Sequence, residues 1–107
     1  MNTTTHPLRT PRRYQAWLLQ QPLDRTVGYR GMPEQCPMAS FLASCGIHEP
    51  GVGFYLYWDG DHWHRLPAWA TRHLVALDKN GPDGSPVQAE EALRVLEEHI
   101  TTGGESC

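Results

Sequence analysis

The sequence predicts a small α+β domain in which one antiparallel hairpin packs against four helices, in the order α-α-β-β-α-α. Three observations carry that expectation. Apolar residues recur at helical spacing in four separate segments. One run, "VGFYLYW", is aromatic and β-branched, and the turn "DGD" and a second short run, "HWHRL", follow it. At 107 residues, with 39% hydrophobic and 20% charged residues, the chain suits one globular domain. An isolated hairpin is marginal in water, so helices must cover one of its faces.

Residues 1–9 are expected as a loose tail, 10–102 as the domain and 103–107 as a second tail. In "TPRRYQAWLLQQP", Thr10 can cap a helix, Pro11 suits its first position and Pro22 stops it. Tyr14, Trp17 and Leu18 share its buried face. The segment "LDRTVGYRGMPEQ" reads as a loop broken by Gly28, Gly31 and Pro33. Met38, Phe41, Leu42 and Cys45 then form a helical stripe, with Pro37 in the first turn and Gly46 as the left-handed stop.

The hairpin comes next. A three-residue loop would set Tyr57 opposite Trp63 and Phe54 opposite Leu66, pairing apolar with apolar, and is preferred to a two-residue loop for that reason. "PAWATRHLVALD" places Trp69, Ala70, His73, Leu74 and Leu77 on one side of a third helix. The last helix is expected to begin at Ser85, which with Gln88 spells a capping box around Pro86. Glu90 and Glu91 suit the positive end of its dipole. Ala89, Leu93, Leu96 and Ile100 make its buried stripe, and the pairs Glu90–Glu91 and Glu97–Glu98 read as outer solvating charges.

Composition excludes several classes. No apolar run approaches the ~20 residues needed to cross a bilayer, and "MNTTTHPLRTPRR" lacks the apolar segment of a secretory signal. Three cysteines, Cys36, Cys45 and Cys107, cannot all pair in one chain, and there is no CxxC. The expected compartment is reducing, hence cytoplasmic. On one helix Cys36 and Cys45 would lie ~13 Å apart along the axis, too far to bridge. No glycine-rich phosphate cradle is present. The net charge of −3 is uneven: residues 1–33 hold five Arg and one acid, residues 81–107 six acids and one Arg. Such a gradient can steer a partner, though accident of composition is the preferred explanation.

Two constellations carry candidate chemistry. A helix N-terminus can lower a thiol's pKa, so Cys36 is a candidate nucleophile. The string "QCPMASFL" resembles the nucleophile helix of papain-like cysteine peptidases. That resemblance implies Gln35 at the oxyanion, Cys36 as nucleophile, His62 or His64 as base, and Asp59, Asp61 or Asp78 behind the histidine. Pro37 departs from the small residue usual after the cysteine, and the preferred reading is a cysteine that merely begins a packed helix. His62 and His64, two apart on a strand, would also make half a metal site, but the strong zinc spacings are absent and no metal or cofactor is expected.

The second constellation is the aromatic hairpin. Trp and Tyr anchor interfaces because they bury much area at little entropic cost. Tyr55, Tyr57, Trp58, Trp63 and Arg65 are the expected contacts. The expected function is a non-enzymatic protein-binding module, an accessory or inhibitor protein of a phage or mobile element that occludes a macromolecular partner. A cysteine-dependent hydrolase or transferase is the alternative. Nucleic acid is a weaker partner, since only Arg65, Arg72, Arg25 and Arg30 attend the aromatics in an acidic chain.

Overall fold

The four helices and the hairpin stand in the expected order, and three further short strands join them. The computed structural model describes residues 7–103. The elements are α1 (Arg12–Leu19), β1 (Thr26–Tyr29), α2 (Pro37–Ser44), β2 (Gly51–Val52), β3 (Leu56–Trp58), β4 (Trp63–Arg65), α3 (Ala68–Lys79), β5 (Pro86–Gln88) and α4 (Ala89–Gly103). The strands make two antiparallel sheets, β1–β5 and β2–β3–β4.

The core lies where α1, α2, α3 and α4 meet the β1–β5 pair. Leu8, Tyr14, Leu18, Met38, Leu42, Leu77, Val87 and Leu96 are fully buried there. Leu8, in the segment expected as a tail, packs into this core. Its carbonyl accepts the Trp69 indole N–H at 3.0 Å. Tyr14 sits at the aromatic centre, edge-on to Phe41 at 5.5 Å, and shares a 2.9 Å hydrogen bond with His73. Both apolar stripes of the middle helices fall as expected: Met38, Phe41 and Leu42 on α2, and Ala70, His73, Leu74 and Leu77 on α3. Gly46, at φ +96°, takes the left-handed conformation just past α2.

Three local expectations are corrected. Thr10 does not cap α1; Pro11 occupies the N-cap and no side chain bonds the helix end. The loop expected over 23–35 contains β1, which pairs with β5 in the register Gly28↔Val87 and Tyr29↔Pro86. The capping box at Ser85 does not form. Residues 86–88 are that partner strand and α4 starts at Ala89, because strand hydrogen bonds to β1 satisfy this backbone better than a solvent-exposed extra turn. Ala89 N–H is bonded to the Arg25 carbonyl and Glu90 N–H to that of Leu23, so chain, not a cap, receives the start of α4. Ala89, Ala92, Leu93, Val95 and Leu96 line its buried face, and the Ile100 side chain lies outside the described residues.

Behind these corrections stands Arg30, which is buried. Its guanidinium donates to both Glu91 carboxylate oxygens, to Ser85 Oγ and to the Leu77 and Pro86 carbonyls. One side chain thus ties β1 to α3, β5 and α4. A buried cation is tolerated only when it is paired and its donors are used, and here they are. Glu91 is therefore no outer solvating charge. The hydrogen bonds from Arg30 hold its carboxyl below the usual range.

Candidate functional site

The second sheet places the candidate residues. The run "VGFYLYW" is not one strand. It folds back on itself: Gly51 pairs with Trp58 and Val52 with Tyr57, and Gly53 N–H bonds the Leu56 carbonyl at 2.9 Å. Phe54 and Tyr55 form the tip of this tight hairpin. The tip's backbone is pinned, since the Tyr55 carbonyl accepts the Leu66 N–H and the Phe54 carbonyl accepts the Thr71 hydroxyl. The side chains of a pinned tip must point outward. Phe54 is 47% exposed, Tyr55 74%, Leu56 45% and Trp63 61%.

The second hairpin corrects the expected register. Leu56 pairs with Arg65, Tyr57 with His64 and Trp58 with Trp63, across a four-residue loop at 59–62. Side-chain chemistry in the turn decides this, against apolar matching. The Asp59 carboxylate accepts the N–H groups of Asp61 and His62 at 2.8 and 2.7 Å and the His64 ring at 2.6 Å. These bonds, the His62 N–H first and the His64 ring next, draw the Asp59 pKa from 3.8 down to about 2. His62 lies outside the strand and is exposed, so the two histidines do not share a strand face. Among the described residues no three His, Cys, Asp or Glu side chains gather as a metal site requires.

Of the five expected contacts, three stand outward, one is half-buried and one is inside. Tyr55, Trp63 and Arg65 are exposed, and Trp58 packs on Trp63 with ring centroids 5.3 Å apart. Tyr57, 1% exposed and stacked on His64, faces the core and cannot touch a partner. Phe54 and Leu56, which are not among the five expected contacts, are exposed beside Tyr55. Alternation along one continuous strand would have put Tyr55 on the buried face of Tyr57; the reversal at Gly53 exposes Phe54, Tyr55 and Leu56 together.

Two open grooves flank this ridge. One, of about 680 Å³, runs between Pro33, Val52, Phe54, Trp58 and Trp63, with Glu34 and Glu49 as its only charged lining. The other, of about 660 Å³, lies between Tyr55, Leu56, Leu66 and Thr71, with Arg65 and Arg72.

Cys36 behaves as a cap. It occupies the N-cap of α2 in extended conformation, and its sulfur accepts the Ala39 N–H at 3.4 Å. A Cβ on Gly28 would come within 2.4 Å of the Pro37 nitrogen, so β1 is pressed against this helix start. Burial outweighs the helix-end hydrogen bonds and pushes the Cys36 thiol up from 9.0 to about 11. The small cavity beside it, about 110 Å³, is lined by Gly31, Met32, Pro33, Val52, Gly53, Phe54, Leu74 and Asp78, with no histidine. His64 does find a carboxylate, Asp59, but on the β3–β4 turn. Gln35 is exposed, and its carbonyl accepts the Tyr29 N–H at 2.7 Å. Cys36 and Cys45 are both free thiols.

Among the described residues no helix is long and apolar enough to cross a membrane. Comparison of the chain with protein-family models, with curated proteins and with solved structures finds no match in any of the three.

Proposed function

We propose that this chain is a non-enzymatic binding protein that docks on another protein through the tip of its aromatic ribbon and blocks the surface it covers. The observation that carries the reading is the exposure of Phe54, Tyr55, Leu56 and Trp63 on a backbone that Leu66 and Thr71 hold still. A contiguous apolar patch has a cost in water and marks an interaction surface. Rigid aromatic anchors lose little entropy on binding. The groove charged only by Glu34 and Glu49 suits a partner segment with an apolar side chain next to a Lys or Arg. An accessory or inhibitor protein of a phage or mobile element would work by such occlusion. Phosphate is a poorer fit, because Arg30 is spent inside the fold.

The test is paired capture from source-cell lysate, with mass spectrometry, using wild type and the Tyr55→Ser/Trp63→Ser double variant. The expected result is a stoichiometric protein held by wild type and lost from a double variant that melts normally. Equal capture by both would remove the ribbon from the interface. A turnover abolished by Cys36→Ser in otherwise folded protein would replace the reading with the thiol-dependent one.

A further inference from the structure

The ribbon also has a bare backbone edge, and it is of one kind only. In an antiparallel sheet, residues alternate between bonding one neighbour and facing the other side. Asp59 N–H bonds the His62 carbonyl and Leu66 N–H bonds the Tyr55 carbonyl, which sets the phase of β3–β4. His64 therefore bonds inward to Tyr57, its partner in register. Trp63 and Arg65 turn their N–H and C=O groups away from β3. At the opposite edge, Val52 N–H, which also points outward, is covered by the Pro33 carbonyl at 2.8 Å. Nothing among the described residues covers Trp63 and Arg65 in that way, and β4 is the terminal strand of its sheet.

We infer that β4 pairs with β4 of a second copy of this chain, antiparallel, about a twofold axis through His64. The choice of occupant follows from self-complementarity. Centred on His64, the pairing sets Trp63 opposite the second copy's Arg65, and Arg65 opposite its Trp63. Both pairs fall where outward N–H and C=O groups meet, so four backbone hydrogen bonds form at once. In both pairs an indole lies beside a guanidinium on one face of the sheet, the arrangement that cation–π attraction rewards. The two Arg65 side chains are separated by the axis and do not oppose each other; the residues that face each other across it are the two His64, each hydrogen-bonded to Asp59 of its own chain. Two three-stranded sheets become one of six strands, and an edge that would otherwise invite unspecific pairing is closed.

The inference rests on the backbone edge and the docking proposal on the side-chain groove; Trp63 belongs to both, so the variants that separate them act at Arg65 for the pairing and at Tyr55 for the docking. Sedimentation equilibrium and amide hydrogen exchange test it. In the high micromolar range, wild type is expected to approach twice its 12.1 kDa mass. Amide exchange at Trp63 and Arg65 is expected to slow as concentration rises, while His64, already bonded inward, does not change. Arg65→Pro removes an outward N–H that the fold does not use, and proline is tolerated at such edge positions. It is expected to remain monomeric with a normal melt. Arg65→Ala keeps the N–H and loses only the two cation–π contacts, weakening association about tenfold. A chain that stays at 12.1 kDa throughout, or a dimer indifferent to Arg65→Pro, overturns the inference. So does protection of the Trp63 and Arg65 amides only when a lysate-captured partner is added, which would give the edge to a foreign strand. If Arg65→Pro fails to fold, the concentration dependence of those two wild-type amides decides alone. A dimer that captures nothing from lysate would leave this pairing intact and sink the docking proposal.

Discussion

The two sheets of this molecule are built to opposite ends. In β1–β5, the central residues Val27, Gly28 and Val87 are buried, and the Arg30 that follows β1 spends its donors on Glu91, Ser85, Leu77 and Pro86. In β2–β3–β4, only Tyr57 and Val52 face the core, while Tyr55 and Trp63 stand in water beside an unpaired strand. Both sheets are short and antiparallel. What separates them is whether side chains from distant parts of the chain converge on them. The first sheet holds the fold, and the second is held by it.

Substitutions can sharpen that contrast. The largest effect is expected at Arg30. Arg30→Met strands the Glu91 carboxylate and two carbonyls, and should cost about 3–5 kcal/mol, seen as a fall in the midpoint of urea unfolding. A loss under about 1 kcal/mol would mean that water replaces Arg30 freely, and that the first sheet is not the keystone.

At Asp59 the expected effect is smaller. Asp59→Ala removes three turn hydrogen bonds on the surface and should cost about 1–2 kcal/mol. Because folding depresses this carboxyl, the stability it supplies is present above pH 3.8 and fades as pH falls towards about 2. Wild type should lose stability over that interval more steeply than Asp59→Ala. Parallel acid profiles would show that the turn does not depend on the carboxylate.

Cys36→Ser should change stability by less than about 1 kcal/mol, since serine is the better cap but a poorer buried group. Folding raises this thiol, so the fold's preference for its neutral form is complete below pH 9 and is lost as pH climbs towards about 11. Iodoacetamide labelling of Cys36 at neutral pH should accordingly be slow, and rapid labelling there would mark an open, activated thiol. Smallest of all, Tyr55→Ser and Trp63→Ser should each move stability by no more than about 0.5 kcal/mol. A larger loss would make the ridge part of the fold and erase the contrast between the sheets.

What the sequence disclosed follows the range of the interactions. The α2 and α3 stripes, Gly46 and the hairpin's existence were legible because spacing and local chemistry decide them. The start of α4 was misread because Ser85, Pro86 and Gln88 spell a helix start locally, whereas β1, more than fifty residues away, claims them as a strand. Arg30 looked like one more surface cation because its partners lie 47 to 61 residues off. The hairpin register was missed because the turn carboxylate of Asp59 outweighed apolar matching. At the candidate site, exposure of Tyr55, Trp63 and Arg65 was foreseen. The burial of Tyr57 and exposure of Phe54 were not, since they depend on a reversal at Gly53 that aromatic composition does not announce.

The most direct test of the ribbon as the working surface is hydrogen exchange read residue by residue, on the chain alone and bound to the protein it captures. Protection on binding is expected at residues 53–58, with the rest of the fold little changed. Protection confined to α1 and α4, or centred on Cys36 with residues 53–58 unaltered, would contradict it.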